Sequence, residues 1–239
     1  MKSRFLLMLF CLFTCLIYAQ TNEKVTWDYP VRYGTPEWKN MKTVEEQFSA
    51  YNIPVEILKT ISTKELVKVC LAYPEWGLLT AYDDRITGLS ALTRLFNGFR
   101  ELFKRDDAAT ELLKAYNQLD PLSVDPDWTP LQQGLYGFEI VKVEMFFNTN
   151  RIIDKLDEDG VRDLKEATVL KYQKKKMLPE IYSTWDLSPT AGIGEKIIRK
   201  VNGGFLNEKT GMLSFNESIR SNDDLFLDSI VELLTKIKL

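Results

Sequence analysis

The chain has 239 residues, a formal charge of −3, 45% apolar and 12% aromatic residues, and no histidine. The mildly acidic balance gives no electrostatic reason for nucleic-acid binding, and the apolar content excludes a globally disordered chain. Without histidine, Ser-His-Asp and Cys-His catalysis, His-ligated zinc and imidazole acid–base chemistry are unavailable.

The first residues, MKSRFLLMLFCLFTCLIYAQ, place Lys2 and Arg4 ahead of an apolar run from Phe5 to Ala19. That run falls short of the roughly 20 residues needed to span a bilayer and has the form of a signal-peptide core. Residues 1–19 are therefore expected to be removed, with the cut after Ala19. Lipidation at Cys15 is the alternative; Thr14 is a poor residue before such a cysteine, and the apolar run continues past it. Removal takes the formal charge from −3 to −5 and leaves Cys70 as the single cysteine. An exported chain with one cysteine has no internal disulfide and must hold together by packing. No later segment is long and apolar enough to cross a membrane, so the mature chain is expected to be periplasmic or secreted.

Residues 20–42 carry Pro30, Gly34 and Pro36 among Trp27, Tyr29, Tyr33 and Trp38, with no persistent period, and read as an extended aromatic-rich arm. From Val44 the pattern is helical. Ser62-Thr63-Lys64-Glu65 is a capping box before Leu66, Val67, Cys70 and Leu71, and Pro74 stops that helix. Leu89, Leu92, Phe96, Phe99 and Phe103 form one apolar stripe, with Gly98 inside it implying a close crossing by a neighbour. Asp106-Asp107 begin a helix through Leu112, Leu113, Tyr116 and Leu119. Thr129-Pro130-Leu131-Gln132 is a second capping box, opening a helix expected to run to about Leu156. Another helix is expected from about Asp159 to Met177. S-P-T-A-G-I-G-E-K-I-I-R-K-V-N-G-G reads as a loop, a short helix and a glycine stop, and residues 205–215 as a small hairpin. Asp223 or Asp224 starts a final amphipathic helix. The expectation is a mostly α, irregular domain of about eight helices over residues 43–239.

The runs Y-P-V-x-x-G-T-P-E-W (29–38), N-I-P-x-E-I-L-K-x-I-S-T-K-E-L-V (52–67), L-x-Y-P (71–74) and F-N-G-F-x-E-L-F-x-R-x-D-A (96–108) resemble an uncharacterised family of exported bacterial proteins. The resemblance covers roughly residues 29–120 and implies export and a helical body. It carries no catalytic or binding residue over to this chain.

Chemistry-bearing patterns are few. Residues 155–166, K-L-D-E-D-G-V-R-D-L-K-E, set Gly160 at the sixth position of a calcium loop, with Asp157, Asp159, Asp163 and Glu166 at ligand positions. Lys155 occupies the first ligand position and repels a cation, so the favoured reading is a helix capped by Asp157 or Asp159. Gly192-Ile193-Gly194-Glu195-Lys196 suggests a phosphate-binding turn but lacks Walker spacing, and reads better as a turn before a helix. Cys70 shares a face with Leu66 and Val67 and reads as a buried small hydrophobe. Lys171, Lys174, Lys175 and Lys176 read as a solvated helix end. Glu139 and Glu144 are candidate catalytic carboxylates for a hydrolase acting on envelope or extracellular glycans, the enzyme class that needs no histidine. Trp27, Tyr29, Tyr33, Trp38, Tyr73 and Trp76 form either a binding surface for a protein or glycan or the glue that fixes the arm. No cofactor is implied. The expected function is a structural or protein-interaction module of the cell envelope, with the hydrolase and a calcium-dependent adhesin or sensor as alternatives.

Overall fold

The computed structural model describes residues 25–201 and 223–239. The signal-peptide segment and the hairpin expected at 205–215 lie outside them. The described residues form helices and no strand. They are α1 (Pro36–Lys39), α2 (Val44–Ala50), α3 (Val55–Thr60), α4 (Thr63–Leu71), α5 (Arg85–Leu95), α6 (Asn97–Leu102), α7 (Ala108–Gln118), α8 (Pro130–Phe147), α9 (Asn150–Ile153), α10 (Glu158–Lys176), α11 (Thr184–Val201) and α12 (Asp224–Lys236). Short 3-10 turns lie at Trp76–Thr80 and Pro121–Ser123.

Helix starts follow local capping chemistry. Ser62 accepts from the Glu65 amide, and Asp157 from the Gly160 amide at 2.8 Å. Thr129 and Gln132 cap each other reciprocally, with Pro130 in the first turn. Asp223 accepts from the amides of Leu225 and Phe226, which fixes the start of α12. Thr129→Ala removes one such cap at an exposed site. It is expected to lower stability by about 1 kcal/mol, read from the urea midpoint at unchanged slope.

Two long helices expected from the sequence are each broken. The stripe from Leu89 to Phe103 divides at Phe96, which is extended at φ −113° and ψ 124°. The cause is an amide clip: Asn97 accepts from the Ile53 amide and donates to the Ile53 carbonyl, while the Asn97 amide donates to Asn52 Oδ1. The Phe96 ring then folds over Gly98, where a Cβ would sit 2.4 Å from it. The crossing neighbour expected at Gly98 is therefore Phe96 itself, with Ile53 beside it. The helix from Pro130 likewise ends at Phe147, and a single turn, α9, follows.

The arm is not wholly extended, because Thr35 caps a helical turn at Pro36–Lys39. Its Tyr29 is buried, donates to the Val69 carbonyl at 2.8 Å and packs against Tyr51, Tyr73 and Phe96. These rings continue through Trp76 and Phe99 to Phe146, an aromatic core joining the arm to α8.

The C-terminal half is organised around α11, in which Leu187 to Ile198 is an unbroken buried run. Helices α8, α10 and α12 surround it. The expected loop at S-P-T is the first part of this helix. Pro189 removes the amide that would serve the Trp185 carbonyl, and the Ser188 hydroxyl donates to that oxygen instead. Ser183 and Asp186 cap the start, the carboxylate accepting from the Ser183 amide and hydroxyl at 2.9 Å. Gly192 and Gly194 are thus not a turn before a helix: Gly192 abuts Asn148 at the end of α8, and Gly194 abuts Leu234 and Ile230 of α12.

Candidate functional site

Polar chemistry inside the described core converges on Glu144. It sits on α8 among Ile140, Val141, Phe147 and Asn148, all buried, and its side chain is wholly buried with that of Lys175 from α10. Lys175 Nζ donates to Glu144 Oε2 at 2.9 Å, Glu144 Oε1 at 3.0 Å, the Asp186 carbonyl at 2.9 Å and Thr190 Oγ1 at 3.0 Å. Glu144 Oε1 also accepts from the hydroxyls of Thr190 at 2.7 Å and Tyr116 at 3.0 Å. Burial, and then the Glu144 charge, pushes the Tyr116 phenol well above its ordinary range, so it remains a donor. The group therefore ties α7, α8, α10 and α11 together.

A buried charge pair stabilises only when further hydrogen bonds satisfy both partners, and here each has them. Around it, Lys171 lies over the Tyr116 ring at 4.7 Å and donates to the Leu119 carbonyl. Burial lowers the Lys171 ammonium to about 8. Asn148 donates at 2.8 Å to the carbonyls of Glu144 and Pro189, closing the end of α8 against α11. Arg85 stacks 4.3 Å over the Trp185 ring, and its Nη1 is buried without a hydrogen bond. Burial brings that guanidinium down to about 10, against the raising influence of Asp186 and Glu144.

The lysine cluster is not simply a solvated helix end. Lys175 is interior and Lys171 nearly so, while Lys174 pairs with Asp120 at 2.8 Å and Lys176 with Asp228 at 3.1 Å. Glu144 likewise is not a solvated helix glutamate. Helical neighbours Ile140, Val141 and Phe147 on its own face were the available signal, whereas Lys175 lies 31 residues away with nothing in the local spacing to join them.

The two candidate carboxylates are not brought together. Glu139 is half-exposed, pairs with Lys142 at 2.6 Å and borders a groove of about 300 Å³ with Lys64, Lys68 and Lys114. Five residues along one helix rotate it roughly 140° from Glu144. Residues 158–166 are helix rather than loop: Asp157 is the cap, and Asp159 pairs with Arg162 on the first turns. No group of three or more Cys, Asp or Glu side chains among the described residues is placed to hold a metal ion. Cys70 is buried, and burial pushes its thiol up, away from thiolate chemistry.

The aromatic residues divide. Tyr29, Tyr73 and Trp76 are interior, Tyr73 stacking on Phe96 at 4.5 Å and the Trp76 indole donating to the Cys70 carbonyl at 2.8 Å. These three form no open platform in this conformation. Trp27 and Trp38 are half-buried, and Tyr33 is exposed with its ring 4.6 Å from that of Trp38.

A different surface stands out. The first half of α8, P-L-Q-Q-G-L-Y-G-F (130–138), contains no charged residue, and its Leu131 and Leu135 are 72% and 55% exposed. Phe138, next along the same face, packs against Trp185 at 6.2 Å, and Tyr136 against Trp128 at 5.8 Å. Compared with family models, with curated proteins and with solved structures, the chain gives no match.

Proposed function

We propose that the chain is an exported helical module that works by binding a protein partner in the cell envelope or extracellular space. The observation that carries this reading is the uncharged, leucine-bearing face of α8. Interface centres are depleted of charge, and contiguous exposed apolar side chains on a water-facing helix are costly unless something covers them. The signal-peptide pattern at residues 1–19 supports export, and no helix among the described residues is long and apolar enough to cross a membrane.

Glycan hydrolysis draws no support from the carboxylates. The oxygens of Glu144 are committed to Lys175, Tyr116 and Thr190 with no exposed surface, and Glu139 lies on another face. A calcium-dependent role draws none from residues 157–166, which cap and build α10.

Photo-cross-linking from position 133 in native envelopes tests the reading. One discrete protein adduct is expected, lost in Leu131→Glu/Leu135→Glu while the urea midpoint stays close to the parent's, because both side chains are exposed. No adduct, or an adduct indifferent to the double substitution, would contradict it.

A further inference from the structure

The groove of about 300 Å³ beside Glu139 lies between α4 and α7. The Thr63 hydroxyl donates to Asp107 at 2.7 Å, joining the two helix starts, and Leu71 and Leu119 at the far ends border the same groove. The two helices therefore run side by side in one direction. Val67 and Leu71 on one wall and Ala115 and Leu119 on the other make an apolar floor.

The rim above that floor is basic. Lys68 pairs with Glu65 at 3.0 Å, the lysine side chain 57% exposed and the glutamate 7%. Lys114 pairs with Glu111 at 2.6 Å in the same manner, 63% against 14%. Both pairs turn the ammonium to water and keep the carboxylate beneath it. Lys64 is exposed on the same rim and makes no ion pair or hydrogen bond among the described residues. At the far end the order reverses, with half-exposed Glu139 over buried Lys142.

We propose that this groove binds an extended acidic segment of a partner protein, in which carboxylates alternate with aliphatic side chains. Val67 and Leu71 are one helical turn apart, about 6 Å along the axis, and so are Lys64 and Lys68. Alternate side chains of an extended chain recur about every 6.6 Å and point to opposite faces. One set can thus enter the floor while the other meets the lysines, with Lys114 closing the rim from α7. A fatty acid carries one carboxylate and would leave ammonium groups of this rim unused. The net negative charge of the chain opposes such a ligand only weakly, because exposed charges beyond about 8 Å are screened at physiological ionic strength. Neither Leu131 nor Leu135 lines the groove, so this site stands or falls separately from the α8 face.

Fluorescence anisotropy of the mature chain with a labelled, amidated Glu-Leu-Glu-Leu-Glu peptide tests the proposal. Versions with glutamine or lysine in place of glutamate serve as controls, and sodium laurate as competitor. Saturable binding of the glutamate peptide is expected, weakened by added salt, about tenfold or more weaker for the glutamine peptide and absent for the lysine peptide. Lys64→Glu reverses an exposed, unpaired charge, so the urea midpoint should stay close to the parent's while affinity for the glutamate peptide falls about fivefold or more. Ala115→Leu puts a larger side chain on the floor and should weaken binding as well. No saturable binding, equal affinity for the glutamine peptide, or undiminished affinity in either variant would overturn the proposal. So would displacement of the peptide by an equal concentration of laurate, which would assign the groove to an anionic amphiphile.

Discussion

Lys175→Met is expected to lower the stability of the folded chain by about 3–5 kcal/mol, because it leaves the Glu144 carboxylate buried without its counter-charge. Methionine fills much of the lysine volume, so the loss reports charge and hydrogen bonding rather than a cavity. Lys175 Nζ serves Glu144, Thr190 and the Asp186 carbonyl at 2.9–3.0 Å, and nothing else described reaches the last of these from α10. The shift would appear as a lower urea midpoint at unchanged slope. A loss within about 1 kcal/mol, the range of exposed ion pairs, would mean that water reaches this pair.

Gly192→Ala should rank next. A Cβ there would lie 2.2 Å from Asn148 Oδ1, well inside contact distance. Asn148 cannot swing away freely, since its amide holds the carbonyls of Glu144 and Pro189 together at 2.8 Å. Overpacking of this kind costs about 1–3 kcal/mol, and displacing the amide adds an unpaired carbonyl or two. Asn148→Ala in the Gly192→Ala background should then cost less than in the parent chain, because the clash is already relieved. Strictly additive losses in urea titrations of the four proteins would show that α8 and α11 can separate without penalty.

The features legible in the sequence are those decided within four residues. Ser62, Thr129, Asp157 and Asp223 start helices because a side-chain oxygen meets an amide two or three positions on, a local event. Eight helices of seven residues or more among those described match the expected number. What was not legible depends on distant partners. The break at Phe96 comes from Asn52 and Ile53, 45 and 44 residues away from Asn97. The interior position of Lys175 depends on a glutamate 31 residues earlier, so four nearby lysines looked alike although they meet different partners. Pro189 and two glycines suggested a loop, yet in α11 they serve close packing against α8 and α12, with Ser188 covering the carbonyl that the proline frees. The aromatic residues stand out in the sequence as a group, but which of them face inward depends on distant or backbone partners such as the Val69 carbonyl for Tyr29 and the Cys70 carbonyl for Trp76.

Whether Glu144 is a structural partner of Lys175 rather than a poised reactive carboxylate decides where function is sought on this molecule. A double-mutant cycle of Glu144→Gln and Lys175→Met, followed by urea unfolding, measures this directly. Glutamine keeps an acceptor for Tyr116 and Thr190 while removing the charge that methionine would strand. The double variant is expected to be more stable than Lys175→Met alone, with a coupling of about 2–3 kcal/mol. Additive losses, with the double variant the least stable of the four proteins, would contradict a mutually neutralised pair.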